Sequence, residues 1–435
     1  MKNITDCLQN EPTEEVFYCQ SGVPLYLFRN QSLHSFCLSL YVRAGSMFES
    51  EKENGITHLT EHLVFRSVNR QMNGTLYREL DRLGLCLEGC TYKEFVRFTV
   101  TGAREHFFEG AEILLKILYP LSLTKDDLRL EKGRVKAEIR EDREKTTLDY
   151  FTDAILHEGT SLSRTITGTA GTVERLGATR LCAFHGEMFS AKNIFFYATG
   201  DVSPESASLF CEKLGEISLD EKVPRRENIA PVSEGFFHRG GAVYLKNSQR
   251  HMVRLSVDVD TSLCSDATVN LLYDVLFGDG EACRVHEALS ESTGYIYSFR
   301  AGMELYRNIA VISVSYEITP SLLIPSVRLL FDTIRAVKKS TEGALAYVRA
   351  PYTDNAYLML DSDSDLNFNR AYESQILSLP YTTVSERAAA YAAVSDEDLS
   401  RLAARVFTPE NMTLTLKGNE KAVDIQALKE LMQSI

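Results

Sequence analysis

The segment HLTEH, from His58 to His62, contains residue types at a spacing that can hold a metal ion. Two histidines four residues apart lie on one face of a helix, close enough to share one ion. Glu61 precedes the second histidine and can accept a proton from water at such a site. This pattern is H-x-x-E-H, the inverted form of the zinc motif H-E-x-x-H. The apolar residues around it (ITHLTEHLVF) indicate a half-buried helix and argue against a charged surface helix.

A catalytic zinc site needs a third protein ligand, and a highly charged helix predicted over residues 126–145 offers several candidates. Glu131 and Glu138 are seven residues apart, so they share one face of that helix. Because the helix is acidic throughout, its spacing alone does not choose Glu138 over Glu141 or Glu144. The residues themselves therefore predict a zinc site but do not identify its third ligand.

Strand-like and helix-like segments alternate around these residues. Aromatic and β-branched residues predict strands at 23–28, 36–42, 94–100 and 193–198. Apolar residues at helical spacing predict helices at 55–68 and 106–119. The pattern then begins again, with strands predicted at 242–246 and 253–259 and a helix at 270–277. The runs LSLYV at 38–42 and LSVDV at 255–259 form a weak internal repeat.

This alternation predicts an α+β fold of two similar domains, each a mixed, mainly antiparallel β-sheet with helices packed on it. A chain of 435 residues is long enough for two domains. Residues 221–235 carry prolines and many charges and are the best linker candidate. We therefore expect a zinc-bearing domain at 1–220, a linker at 221–235 and a second homologous domain at 236–435.

Composition limits the classes of ligand and compartment. A net charge of −13 argues against a nucleic-acid ligand and is compatible with a cationic peptide, or simply with solubility. Nine cysteines without a CxxC pair predict reduced thiols. Without a signal-peptide pattern or an apolar stretch of about 20 residues, we expect a cytoplasmic protein with no membrane segment.

The run AGSMFES…NGITHLTEHLVFRS resembles the N-terminal region of the pitrilysin, insulysin and mitochondrial processing peptidase superfamily. The residues that precede H-x-x-E-H in the family are matched here by Ala44, Gly45, Ser46, Glu49 and Gly55. In addition, 75 residues lie between the second histidine and the later glutamate of an E-x6-E pair, an interval typical of the family's third ligand. The resemblance implies a half-length zinc peptidase subunit that binds one Zn²⁺ per chain. The zinc ligands would be His58, His62 and Glu138, and Glu61 would be the catalytic base. Glu131 would support one of the ligands from outside the coordination sphere.

The resemblance also implies where a peptide substrate binds. The strand at 94–100 resembles the family's edge strand, on which a substrate lies as an added β-strand. Thr91 and Glu94 match the family's T-x-x-E, whereas Glu88-Gly89 replaces the usual Asn-Ala. That Asn contacts the substrate backbone in the family, so the contact at Glu88 is left open. The expected substrate-binding residues are Glu88, Gly89, Thr91, Glu94 and Tyr297.

The segment ALSESTGYIYS, residues 288–298, resembles the part of the family's second half that carries an R-x6-Y pair for the substrate carbonyl. Tyr297 matches the tyrosine, but Ser290 stands where the family has arginine. A serine hydroxyl lacks the positive, forked geometry of a guanidinium. Arg284 lies close in sequence and is the candidate to compensate.

Together these features imply half of a clamshell that needs a second subunit. The expected function is the catalytic member of a heterodimeric zinc endopeptidase acting on short or unfolded peptides, with leader-peptide processing as one example. Its partner would be a homologous subunit that carries R-x6-Y. A homodimeric oligopeptidase and a non-catalytic scaffold subunit are the alternatives.

Overall fold

The computed structural model describes residues 13–145, 147–227, 243, 250–278 and 280–435, without the side chains of 142–147. In this part of the chain it contains a six-stranded and a four-stranded β-sheet with helices packed on them. The predicted α+β class with two sheets is confirmed. Most of the linker candidate 221–235 and of the predicted strand 242–246 lies outside the described residues.

The first sheet consists of β1 (Glu14–Tyr18), β2 (Pro24–Arg29), β3 (Ser35–Val42), β4 (Cys86–Thr91), β5 (Val96–Ala103) and β6 (Ile194–Gly200). It is mixed, with strand order β1-β2-β6-β3-β5-β4. Among its described strands only β2 and β6 pair in parallel, and the other neighbours are antiparallel. β6 is buried along its whole length, which explains the continuous apolar run IFFYATG.

The edge strand of this sheet differs from the sequence expectation. β4 lies at the edge, whereas β5, which contains most of the strand predicted at 94–100, lies between β3 and β4. The expectation of an edge strand at 94–100 is therefore wrong. β4 escapes sequence analysis because CLEGCT has one β-branched residue, at its last position, and a central glycine, so its strand propensity is low.

Helices of the first half other than Thr147–Leu156 pack on one face of the first sheet. The first of them, α1 (Ile56–Gln71), buries Ile56, Leu59, Leu63, Val64 and Val68 against the sheet, which is the stripe that its helical period predicts. The helices are α1 (Ile56–Gln71), α2 (Leu76–Leu83), α3 (Phe107–Leu115), α4 (Lys125–Lys145), α5 (Thr147–Leu156), α6 (Ala170–Arg175), α7 (Ala178–Met188) and α8 (Pro204–Gly215).

The second sheet consists of β7 (His251–Asp260), β8 (Phe299–Tyr306), β9 (Ile309–Ile318) and β10 (Met412–Lys417). It is antiparallel throughout these strands, in the order β10-β7-β9-β8. Its helices are α9 (Asp266–Phe277), α10 (Leu323–Lys339), α11 (Asp363–Ala371), α12 (Val384–Ala393), α13 (Asp396–Val406) and α14 (Ile425–Gln433). Short helical segments lie at Arg284–His286, Glu287–Glu291, Leu345–Val348 and Tyr372–Ile376.

The two halves repeat one arrangement around their central strands. LSLYV lies on β3 and LSVDV on β7, and each strand has a neighbour on both sides. Asn193, just before β6, donates from its side chain to the carbonyl of Arg43 (3.0 Å). Asn411, just before β10, donates in the same way to the carbonyl of Asp258 (2.8 Å). These matching contacts support the internal repeat.

Each half also supplies a helix to the sheet of the other half. α5 packs on β7 and β10, where Thr152 Oγ1 and Thr415 Oγ1 share a hydrogen bond of 2.6 Å. α11 packs on β3 and β6, where Asn367 Nδ2 donates to the carbonyl of Tyr197 (2.8 Å). The halves are therefore held together by buried contacts, and the domain boundaries at 1–220 and 236–435 stay a prediction.

Two compositional expectations concern thiols and membranes. The eight cysteines among the described residues are all free thiols, and Cys7 lies outside that part of the chain. No helix in the described ranges combines the length and apolar character needed to cross a membrane. A cytoplasmic location stays a prediction.

Candidate metal centre

Three side chains that can ligate a metal ion converge where α1 packs against α4. His58 and His62 come from α1 and Glu138 from α4, and their ligand atoms all lie within 4.8 Å of one another. The Glu138 carboxylate oxygens lie 3.6 Å from His58 Nε2 and 3.7 Å from His62 Nε2. In a tetrahedral zinc site, ligand atoms that lie about 2.0 Å from the ion are about 3.3 Å from one another. The two imidazoles and the carboxylate therefore fit a zinc ion after small side-chain movements.

The start of α1 is held by a buried carboxylate. Glu49 accepts hydrogen bonds from the backbone N–H groups of Gly55 (2.7 Å) and Thr57 (2.9 Å). These N–H groups have no partner within the helix, and a negative group at this end is favoured by the helix dipole. Gly55 has a positive φ of 93°, and a Cβ there would lie 2.6 Å from the carbonyl oxygen of Thr167. The position of the two histidines thus depends on Glu49 and Gly55.

Glu131 supports His62 from the side away from the proposed ligand position. Its carboxylate accepts from His62 Nδ1 (3.2 Å), Arg66 Nε (2.5 Å) and Arg134 Nη1 (3.1 Å). Burial raises the pKa of Glu131, but hydrogen bonds from His62 and Arg66 outweigh it and hold the pKa below its usual value. An ionised Glu131 fixes the proton of His62 on Nδ1, so that Nε2 is the ligand atom.

Burial also sets the protonation of His58 and Glu61. Burial, with the neighbouring His62, lowers the pKa of His58 to about 3, so its imidazole is neutral as a metal ligand must be. Burial raises the pKa of Glu61 to about 7, a value suited to exchanging protons near neutral pH. Thr91 Oγ1 donates to Glu61 at 3.5 Å. Glu61 therefore lies beside the three candidate ligands with the properties of a general base.

Gly89 on β4 lies directly against Glu61. A Cβ at this position would stand 2.5 Å from Glu61 Oε1 and 2.7 Å from a ring carbon of Phe65. The absence of a side chain therefore lets the edge strand approach the carboxylate closely. Gly89 and Thr91 are thus brought to the candidate site, whereas the adjacent Glu88 is exposed on the other face of the strand.

Glu94 lies in a different environment from the other expected substrate contacts. Its side chain is buried at 2% exposure, and neither carboxylate oxygen has a hydrogen-bond partner among the described residues. Burial raises its pKa to about 8, an effect that Arg43 partly offsets. This burial argues against a direct contact with a substrate at the surface, and the contact expected for Glu94 stays a prediction.

The expected substrate residues of the second half are on the surface. Tyr297 is 95% exposed, and Ser290 lies half-buried in the helical segment Glu287–Glu291. Arg284 pairs with Glu287 at 3.4 Å. Among the described residues, no hydrogen bond or ion pair joins Tyr297 or Arg284 to the candidate ligands, and their roles stay predictions.

Two arginines that surround Glu131 were not among the residues predicted from the sequence. Arg66 follows His62 by four residues, and Arg134 follows Glu131 by three. Side chains at these intervals share a helical face, so the spacing contains the signal. Only the packing of α1 on α4 shows that both arginines meet one carboxylate.

Family models match both halves of the chain. A model described as Insulinase (Peptidase family M16) matches residues 27–170, which include His58, Glu61, His62 and Glu138. A model described as Peptidase M16 inactive domain matches residues 175–352. The structure is similar to a solved peptidase M16 inactive domain from Pseudomonas fluorescens, with a TM-score of 0.83 and 16% identity over 93% of this chain and 98% of that one.

Curated relatives are similar at lower identity. Cytochrome b-c1 complex subunit 1 of Mus musculus is 26% identical over 46% of this chain, but the match spans only 42% of that protein. The subunit beta of the mitochondrial-processing peptidase of Pongo abelii is 20% identical over 83% of this chain and 76% of its own length. The uncharacterized zinc protease YmxG of Bacillus subtilis is 19% identical over 91% of this chain and 96% of its own length.

Proposed function

The chain belongs to the insulinase family of peptidases, family M16, within the pitrilysin and mitochondrial processing peptidase superfamily, and on this premise we propose that it is a zinc metallopeptidase. Its substrates are short or unfolded peptides, since an added β-strand must be extended to bind. The observation that carries the proposal is the convergence of His58, His62 and Glu138 beside Glu61.

The roles of the residues follow from their positions. Zinc at the three candidate ligands would supply Lewis acidity that polarises a peptide carbonyl and lowers the pKa of water. Glu61 accepts the proton of the attacking water and then donates it to the leaving amine. Glu131 keeps His62 in the tautomer that presents Nε2. The edge strand β4 holds the substrate backbone, with Gly89 leaving room beside Glu61.

We propose further that this chain is the catalytic subunit of a heterodimer. Ser290 stands in place of the arginine that stabilises the substrate carbonyl, and loss of such a donor typically costs about 10²–10³ in rate. A homologous partner with R-x6-Y would supply it. The relative from Pongo abelii, itself named as a subunit, supports this division. Leader-peptide processing is the more specific activity within this proposal.

A homodimer is the second candidate, and the exposure of Tyr297 favours it. At 95% exposure this side chain is available to a second copy of the chain. The two candidates differ in activity: a homodimer cleaves peptides alone and depends on Tyr297, whereas the heterodimer's catalytic subunit needs its partner. Gel filtration combined with peptidase assays of the chain alone and of Tyr297→Phe separates them.

Metal binding tests the site itself. We expect about one zinc per purified chain by elemental analysis, and a much weaker binding constant for Glu138→Gln. Glu141→Gln is the matched control, because this exposed residue lies on the same helix three positions away. Equal zinc affinity in both variants, or no zinc after reconstitution, would contradict the assignment of the ligands.

A further inference from the structure

The outer side of β4 is available to an added strand. β4 pairs with β5 on one side, and no other described strand pairs with its outer side. The N–H of Tyr92 donates to the carbonyl of Phe95 at 2.8 Å, which marks this pair as hydrogen-bonded. Hydrogen-bonded and non-hydrogen-bonded pairs alternate along an antiparallel ladder. The backbone groups that point outward are therefore those of Leu87, Gly89 and Thr91.

The two faces of β4 present different chemistry to such a strand. Gly89 and Thr91 face α1, where they contact Glu61. Successive side chains of a strand point to opposite faces, so Cys86, Glu88 and Cys90 occupy the other face. All three of these residues are exposed. A peptide paired with β4 would place alternate side chains on this second face, whichever direction it runs.

Glu88 is the acidic group of that face, and no basic side chain neutralises it. It forms no ion pair within the described residues, and the Cys86 thiol donates to its Oε1 at 3.5 Å. Arg97 lies on the neighbouring strand opposite Cys90, but its guanidinium is directed to β3. There it donates to Ser39 Oγ at 3.2 Å and lies over the Tyr41 ring at 5.8 Å. The carboxylate of Glu88 is therefore available to a ligand.

The register places this carboxylate next to the bond that would be cleaved. Gly89 lies against Glu61, so the scissile bond lies near the peptide residue opposite Gly89. The peptide residue opposite Glu88 is its direct neighbour, and its side chain lies on the Glu88 face. Directly opposed side chains have Cβ atoms about 4.5–5.5 Å apart, close enough for opposite charges to attract.

We propose that Glu88 is a specificity-determining residue that selects peptides with a lysine or arginine at the position opposite it, one or two residues from the scissile bond. This inference rests on the proposed peptidase function. An opposed, solvent-exposed charge pair predicts a preference of about threefold for lysine over glutamine at this position, and of about tenfold for lysine over glutamate. Rising salt should reduce both ratios because the pair is exposed.

Peptides that differ at one position test the proposal. The zinc-loaded chain, with its partner subunit if one is required, is given otherwise identical peptides with lysine, glutamine or glutamate at each position around the cleaved bond. Ratios of kcat/KM are measured for wild type, Glu88→Gln and Glu88→Lys. Glu105→Gln is the control, because this exposed residue beyond the end of β5 changes the net charge equally.

We expect kcat/KM for the lysine peptide to be about ten times that for the glutamate peptide in wild type and Glu105→Gln. The two values should be about equal in Glu88→Gln, and the preference should be inverted in Glu88→Lys. An unchanged ratio in both Glu88 variants overturns the proposal. Cleavage of the glutamine peptide by wild type tests the peptidase function separately, because this peptide has no charge to pair with Glu88. Where no peptide is cleaved, binding of the same peptides to Glu61→Gln, with and without Glu88→Gln, is measured by fluorescence anisotropy. Equal affinity for the lysine and glutamate peptides then overturns the role of Glu88.

Discussion

Replacing the buried Glu94 by glutamine should remove a pH-dependent loss of stability. Glu94 is 2% exposed, its carboxylate oxygens have no hydrogen-bond partner among the described residues, and burial raises its pKa to about 8. In the unfolded chain its pKa returns to about 4.3. Between these values the folded protein holds a proton that the unfolded chain releases, so the free energy of unfolding decreases as pH rises.

The magnitude follows from the two pKa values. At about 1.36 kcal/mol per pKa unit, Glu94 should remove on the order of 3–5 kcal/mol of stability as pH rises from about 4.5 to about 8. Well below about pH 4.3 the carboxyl group is protonated in both states and contributes no pH dependence. Glutamine keeps the shape of the protonated acid but does not titrate, so Glu94→Gln should be more stable than wild type near pH 8 and similar near pH 5.

Urea unfolding of the wild type and Glu94→Gln at pH 5, 6.5 and 8 measures this difference, with Glu105→Gln as an exposed control. The difference in the free energy of unfolding between the wild type and Glu94→Gln should grow with pH. Glu105→Gln should show the same pH dependence as the wild type. Parallel stability curves for the wild type and Glu94→Gln would contradict this prediction, because they would show that Glu94 is ionised in the folded state. A raised KM in Glu94→Gln at unchanged stability would instead restore the substrate contact expected from sequence.

Three further predictions concern the metal centre. Glu61→Gln keeps the shape of the side chain but cannot accept a proton, so zinc content should be unchanged while turnover falls by at least about 100-fold; parent-like turnover would exclude Glu61 as the base. Glu131→Ala removes the acceptor behind His62 and should weaken zinc binding by about 10–100-fold in a chelator competition; unchanged affinity would show that Glu131 does not orient the ligand. Gly89→Ala places a Cβ 2.5 Å from Glu61 Oε1, and the resulting shift of the carboxylate should lower kcat by about 10–100-fold with zinc retained; an unchanged kcat would mean that Glu61 moves without cost.

The fold shows which sequence signals are dependable. Strands β3 and β6 and helices α1 and α4 carry long apolar or charged patterns, and the structure places them within a few residues of the predicted ranges. β4 carries no such pattern, because an edge strand with one exposed face needs few apolar residues. Its backbone pairing with β5, rather than its own composition, makes it a strand.

The sequence pattern also did not predict that each half supplies a helix to the sheet of the other half. α5 belongs to the first half by position but packs on the second sheet, and α11 does the reverse. Apolar periodicity shows that a helix has a buried face but not which sheet covers that face. The choice of partner is made by the packing of the whole chain.

The spacing of residues within one helix is enough to predict the local part of the metal centre. His58, Glu61 and His62 stand within one and a half turns of one helix, and helical geometry alone brings the two imidazoles together. Tertiary structure decided which glutamate joins them, because Glu131, Glu138 and Glu141 occupy one acidic helix, and only the crossing of α4 over α1 brings Glu138 to the histidines. It likewise decided that Gly89 meets Glu61 and that Glu94 is buried. Spacing along one helix fixes the distances between residues that are close in sequence, whereas a contact between residues separated by 75 others depends on how two elements pack.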